Sequence, residues 1–290
     1  MHSFNFLKMT VFHTRNEVEA YRNLNKSNNY SVGFVPTMGA LHKGHASLIK
    51  QSIEENEKTI VSIFVNPTQF DNNEDLDTYP RTLENDITLI KEIDSSIVIF
   101  APNANELYQG NVTSQSYSYG GIEFEMEGKH REGHFDGVGT VLELFFKLIM
   151  PTNAYFGKKD FQQLQIVKKL VENYKLNVNI VGCEIFREKS GLAMSSRNER
   201  LSKESRQKSA FIYKTLLVAK NKFHTKSALD VEKWIINEFD KNADLKLEYA
   251  SIANERTLKP VDIKSENENY RLFIAAFIDN IRLIDNIALN

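Results

Sequence analysis

Apolar positions along the chain switch between two periods. A β-prone run from Tyr30 to Val35 gives way to Ala46-Ser-Leu-Ile-Lys-Gln-Ser-Ile-Glu-Glu, where Leu48, Ile49 and Ile53 repeat at helical spacing. Thr59-Ile-Val-Ser-Ile-Phe-Val65 has the unbroken, branched character of a central parallel strand. Leu83, Ile87 and Ile90 predict a helix over Thr82 to Ile93, and Ser96-Ile-Val-Ile-Phe100 a third buried strand. The alternation continues with an apolar helix over Thr140 to Ile149, a short strand at Ala154-Tyr-Phe156, a helix over Phe161 to Tyr174 and a strand over Val178 to Phe186. At the front, Thr14-Arg-Asn-Glu17 is a capping-box pattern opening a helix to about Leu24. Strands alternating with helices at this spacing predict an α/β fold, a parallel sheet with helices on both faces.

Two stretches break the rhythm. An acidic loop is expected at Asp71 to Asp77, and an irregular, tyrosine-rich excursion from Asn103 to Gly121. After about Arg187 the order changes. A loop leads to a long helix from Ser202 and a second over Asp230 to Phe239; apolar runs follow at Leu245–Ala253, Arg271–Phe277 and Ile281–Asn286. Helices followed by strands predict a smaller α+β C-terminal domain with an antiparallel sheet, so residues 1–186 and 187–290 are read as two domains.

Composition adds exclusions. The 290 residues carry 36 basic against 38 acidic side chains, so nothing signals nucleic acid or another polyanion as a general partner. A single cysteine, Cys183, rules out an internal disulfide and an all-cysteine metal site. The start, Met1-His-Ser-Phe-Asn-Phe-Leu-Lys, lacks the pattern of a secretory signal, and no stretch reaches the roughly 18 apolar residues of a membrane span. A cytoplasmic protein is expected.

The chemistry concentrates where strands end in glycine-containing loops. Met38-Gly-Ala-Leu-His-Lys-Gly-His45 lies between a strand and a helix, with Gly39 and Gly44 where the backbone turns or a ligand comes close. His42 and His45 share a face of the helix start, where N–H groups and the dipole favour an anion. Phosphate contact, a metal and a structural role are all open readings of this pair. Asn66 and Gln69 follow the next strand, placed to orient a polar substrate or simply to turn the chain around Pro67. Gly157-Lys-Lys-Asp160 repeats the strand-end pattern, with Lys158 and Lys159 available to phosphate and Asp160 and Gln163 in capping-box spacing. Ser195, Ser196 and Arg197 lie in a small-residue loop that either wraps a pyrophosphate or caps the next helix. His130, Arg131 and His134 form another basic cluster, and Tyr79 with Arg81 lines a pocket or marks a helix entry.

The wording of these loops goes beyond pattern. Pro36-Thr-Met-Gly-Ala-Leu-His-Lys-Gly-His45, Phe64-Val-Asn-Pro-Thr-Gln-Phe70, Tyr79-Pro-Arg81, Gly133-His-Phe-Asp-Gly-Val138, Phe156-Gly-Lys-Lys-Asp-Phe-Gln-Gln163, Gly191-Leu-Ala-Met-Ser-Ser-Arg-Asn198 and Arg282-Leu-Ile-Asp-Asn286 closely resemble the pantothenate synthetase (pantoate–β-alanine ligase) family, within the nucleotidyltransferases that carry a His-x-Gly-His signature. The resemblance implies a Rossmann-like sheet, with the smaller domain covering the active site, and an AMP-forming ligase. Pantoate, β-alanine and ATP are its implied substrates, reacting through pantoyl adenylate, with Mg²⁺ arriving chiefly on the phosphates and no organic cofactor. It also implies a homodimer.

Position by position, the resemblance places His42 and His45 on the ATP phosphates, with His45 as proton donor and Met38, Gly39 and Gly44 lining the nucleotide. Gln69 and Gln163 hold pantoate, and Asn66, Arg131 and His134 lie on the substrate side. Gly157 to Asp160 receive ribose and phosphates, with Lys159 facing phosphate. Met194, Ser195, Ser196 and Arg197 close over pyrophosphate, and the Phe186 backbone meets adenine. Lys158, Ser190 and Met194 stand where the family often has glutamate, aspartate and leucine, changing only local loop electrostatics.

Overall fold

A computed structural model of the chain describes residues 10–70, 73–261 and 263–290. The N-terminal segment read for a targeting signal lies outside them, as do Asp71 and Asn72 of the expected acidic loop. The described residues form two compact units, each built around its own core. One comprises residues up to Lys158 together with Gln163–Cys183; the other comprises Lys159–Gln162 with Glu184–Asn290.

The first unit runs β1 (Thr10–Phe12), α1 (Arg15–Ser27), β2 (Val32–Thr37), α2 (Lys43–Glu55), β3 (Lys58–Ile63), α3 (Asn73–Thr78), α4 (Leu83–Ile93), β4 (Val98–Phe100), α5 (Ala104–Tyr108), α6 (Met126–His130), α7 (His134–Ile149), β5 (Asn153–Gly157), α8 (Phe161–Asn173) and β6 (Asn179–Cys183). Its six strands are parallel in the order β1-β4-β3-β2-β5-β6. Helices flank both faces, as the period-2 side-chain alternation requires. On β2, Phe34 meets Phe145 and Phe146 of α7, with ring centroids 5.5 and 6.3 Å away. Its neighbour Val35 packs on the opposite side with Ile49 of α2, Ile90 of α4, Val61 and Ile99.

Four local expectations change. The strand β1 was not foreseen; its three residues pair with β4 at the sheet edge, a contact no local pattern announces. A helix, α3, replaces most of the acidic loop, and α5 interrupts the irregular stretch, its start capped by Asn103 accepting from the Glu106 N–H. The helix expected from Thr140 begins at His134, because glycines inside it serve packing. A Cβ on Gly137 would sit 2.2 Å from the Thr68 carbonyl oxygen.

In the second unit, Glu184–Arg200 is mostly loop, followed by α9 (Lys203–Lys208), α10 (Ala210–Phe223), α11 (Ala228–Asp240), β7 (Lys246–Asn254), β8 (Tyr270–Ile278) and β9 (Ile281–Ala288). The single long helix expected from Ser202 is two, broken at Ser209, whose hydroxyl bonds back to the Ser205 carbonyl. The three strands form an antiparallel sheet in chain order. Asp279 and Asn280 take left-handed φ of 49° and 61°, giving the tight turn that joins β8 to β9. Ile212, Leu216 and Phe223 of α10 and Val231, Ile235 and Phe239 of α11 form its core with Leu272, Ile274 and Leu283.

Candidate active site

Chain order along the sheet reverses at the centre: β2 leads through α2 to β3 on one side, while β5 leads to β6 on the other. The carboxyl ends of β2 and β5 therefore flank the switch point where ligands bind in open α/β sheets. The loop after β2 carries Met38 to His42, and Gly157 ends β5 with Lys158 directly after it.

The β2 loop is held from below by a residue the sequence reading passed over. Asp86 of α4, 2% exposed, accepts the backbone N–H groups of Leu41 (2.7 Å) and Ala40 (3.0 Å) and the Thr82 hydroxyl. Burial pushes its carboxyl above the usual carboxylate range, against the opposing pull of those bonds. Gly39 turns the loop with φ of +85°, where a Cβ would also crowd Asp86. A signal was present: Asp86 lies three residues after Leu83 and four before Ile90, on the apolar stripe of its helix, where a carboxylate needs partners.

His42 is the N-cap of α2 and His45 its third residue. The Gly44 N–H donates to His42 Nδ1 at 3.1 Å, and the His42 N–H to His45 Nδ1 at 3.3 Å. A ring nitrogen that accepts carries no proton, so each imidazole is neutral with its hydrogen on Nε2. The rings stack with centroids 4.1 Å apart. Two imidazoliums at that spacing would repel by about 1 to 4 kcal/mol, which agrees with the neutral tautomers that the two hydrogen bonds require.

Gln69 is the hub of the neighbouring loop. It is 8% exposed, its Nε2 contacts Met38 Sδ, and its Oε1 accepts from Asn66 Nδ2 at 3.2 Å. Asn66, capping the short turn Pro67–Gln69, also donates to the Gly137 carbonyl and accepts from the Tyr108 hydroxyl at 2.6 Å. His134 Nδ1 donates to the Gln69 carbonyl (2.8 Å) while Arg131 donates to His134 Nε2 at 3.3 Å, which assigns that ring as neutral too. Met38, Asn66, Gln69, Arg131 and His134 are thus brought into one bonded group. His130 is not aligned with His134: α6 ends at His130, and Gly133, with φ of +72°, turns the chain just before α7. Among the described residues no group of three or more His, Cys, Asp or Glu is arranged to hold a metal ion. Arg81 donates to the carbonyls of Leu76, Asp77 and Tyr79, tying off α3, and Tyr79 packs on Phe70. Gln163 lies in the first turn of α8.

The remaining candidates belong to the second unit. Lys159, its side chain 17% exposed, lies 3.5 Å from a half-exposed Asp160 carboxylate. Phe186 and Met194 pair through backbone, the Met194 N–H donating to the Phe186 carbonyl at 2.9 Å. Ser195 Oγ caps the turn Ser196–Arg200, accepting the Arg197 N–H. Within that loop Glu188 accepts from Arg206 Nε through both oxygens at 3.0 Å, and from Asn198 Nδ2 at 2.9 Å.

Known proteins bear on this geometry. The family model described as pantoate-β-alanine ligase matches residues 10–288. A pantothenate synthetase of Flavobacterium psychrophilum is 53% identical over 281 residues, covering 97% of this chain and all of that protein. One from Christiangramia forsetii is 55% identical over 265 residues, 91% of this chain and 94% of its own. Among solved structures, pantothenate synthetase from Thermus thermophilus superposes with a TM-score of 0.88 at 35% identity, covering 97% of this chain and 99% of that one. A Francisella tularensis pantoate-β-alanine ligase, complexed with beta-gamma ATP and β-alanine, superposes with a TM-score of 0.80 at 35% identity, covering 97% and 98%. No helix among the described residues is long and apolar enough to cross a membrane. The chain is an enzyme of the ligase class and belongs to the pantoate–β-alanine ligase family.

Proposed function

We propose that the chain condenses pantoate with β-alanine to give pantothenate, at the expense of ATP, which leaves as AMP and pyrophosphate. The observation that carries this reading is the pair of stacked neutral histidines capping α2 at the switch point of the sheet. In the first step a pantoate carboxylate oxygen bonds to the α-phosphorus and the bond to the β-phosphate oxygen breaks, releasing pyrophosphate. Negative charge grows on phosphate oxygens, and preorganised Nε2–H donors beside a helix N-terminus stabilise it without reorganising. His45 gives its Nε2–H to this charge as a hydrogen bond; as a neutral imidazole it keeps that proton and does not transfer it.

Gln69 and Gln163 hold pantoate by its hydroxyl and carboxylate. The bonds of Asn66, His134 and Arg131 to Gln69 fit a shell that fixes its amide and borders the substrate. In the second step the β-alanine nitrogen bonds to the acyl carbon, loses a proton, and the carbon–oxygen bond to AMP breaks. Both steps need positioning more than covalent help. The Francisella complex supports ATP and β-alanine as the substrates. For Gly157, Lys158, Lys159 and Asp160 the proposed task is ribose and phosphate contact; for Met194, Ser195, Ser196 and Arg197, pyrophosphate; for the Phe186 backbone, adenine. Mg²⁺ would neutralise triphosphate charge. An ion that keeps its waters and enters on phosphates needs few ligands from the protein. A homodimer in the cytoplasm completes the reading.

ATP–pyrophosphate exchange tests it. Exchange should require pantoate, and AMP should appear only after β-alanine is added. Exchange without pantoate, or ADP as product, would overturn the ligase reading. His45→Ala and Lys159→Ala should each lower exchange by about 10²- to 10³-fold; near-normal exchange removes the residue from its role.

A further inference from the structure

The motif Arg282-Leu-Ile-Asp-Asn286 takes no part in the chemistry above, yet it buries two polar residues in a mostly apolar strand. Asp285 is 3% and Asn286 2% exposed, and buried polar groups need partners. Asn286 Nδ2 donates to the Lys159 carbonyl at 2.8 Å, and its Oδ1 accepts from Arg271 at 2.6 Å. The same Arg271 guanidinium lies 4.1 Å from the Phe161 ring centroid and pairs with Glu255 at 2.8 Å. Phe161 also packs on Phe273 of β8 at 6.0 Å. Asp285 braces the strand by binding Arg187 through both oxygens (2.6 and 3.0 Å) and accepting the Asn286 N–H. These contacts are why Lys159–Gln162 cluster with the C-terminal unit, although the residues on either side belong to the parallel sheet's unit.

We propose that Asn286 is a positioning residue for Lys159. Its amide fixes the carbonyl, and so the backbone, from which the lysine amine projects. Arg271 holds the amide oxygen and the Phe161 ring together, so the segment is gripped at both ends. One planar group must donate to a carbonyl and accept from a guanidinium, which asparagine does and neither aspartate nor leucine can. The contact of Lys159 with Asp160 is long, at 3.5 Å, and its carboxylate is half exposed, so it does not fix the backbone. A lysine carries roughly 2 kcal/mol of rotamer entropy, so a fixed root matters to where its charge spends its time. The inference rests on the reading of Lys159 as a phosphate contact.

A double-mutant cycle tests it by ATP–pyrophosphate exchange. Asn286→Asp keeps the acceptor for Arg271 and removes the donor to Lys159; Asn286→Ala removes both. In the parent, Asn286→Asp should raise the KM for ATP and lower exchange, together by about 10- to 100-fold, with the KM for pantoate unchanged. In the Lys159→Ala background the same change should have little effect, and urea unfolding of each variant separates these losses from loss of fold. Two outcomes overturn the anchoring alone: losses that multiply in full across the two backgrounds, or Asn286→Asp within twofold of the parent while Lys159→Ala is impaired. A silent Lys159→Ala removes the phosphate reading, and the anchoring with it.

Discussion

The two units hold their functional groups by different means. In the parallel-sheet unit the histidines are fixed by backbone: each ring accepts a main-chain N–H in the first turn of α2, and Asp86 takes two more from the loop behind them. In the C-terminal unit the loop from Phe186 to Arg197 folds back on itself through backbone bonds and is tied to its surroundings by side-chain ions, Arg187 with Asp285 and Arg206 with Glu188. Arg187 further lies 3.7 Å over the Tyr213 ring. Backbone anchoring comes with the helix and is close to all-or-none. Side-chain anchoring depends on desolvated charges, strong while paired and costly when one partner is lost.

The sharpest way to break this contrast is Asp285→Ala, which strands the Arg187 guanidinium in a largely buried place. Urea unfolding should show a loss of about 3 to 5 kcal/mol. A loss under about 1 kcal/mol, the range of surface pairs, would show that the loop does not depend on its ions. Next comes Asp86→Ala, which leaves the Ala40 and Leu41 N–H groups without their acceptor at about 1 to 3 kcal/mol each. Hydrogen exchange at those two amides should accelerate and the KM for ATP should rise; unchanged protection would mean the turn holds itself.

The smallest effect isolates a backbone anchor far from the loops. Thr14→Ala removes the cap of α1 and should cost about 1 kcal/mol at neutral pH. The Thr14 hydroxyl holds the Glu17 carboxyl below its ordinary range, outweighing the small effect of burial. A lowered folded pKa means that the stabilisation is present above the unfolded value and disappears as pH falls through the folded one. The difference between Thr14→Ala and parent, followed by urea midpoints, should therefore shrink in acid; a constant difference would detach Glu17 from the cap.

Legibility did not follow that division: in the C-terminal unit α11 and the three strands were readable too. Strand and helix periods were readable for β2 to β6 and α2, α4 and α8, because burial on a sheet face imposes them locally. The N-terminus of α7 was hidden because Gly137, a weak helix former, is there to admit the Thr68 carbonyl. The edge strand β1 was hidden because its pairing lies 88 residues away in β4. Of the site, the histidine loop, Gln69 and the lysine segment were visible as glycine-flanked motifs. Of their supports, Asp86 left only the trace of a carboxylate on an apolar helix stripe, and Asn286 is defined by what the fold brings to it. The neutral state of His42 and His45 also needed coordinates, because it follows from which nitrogen accepts.

The bond from Asn286 to the Lys159 carbonyl spans 127 residues of chain. The histidine cap, by contrast, closes over three residues at the start of α2. The Lys159 backbone therefore reaches its native setting only after the 127-residue loop has closed, an entropic cost that grows slowly with length but falls on this segment and not on the histidines.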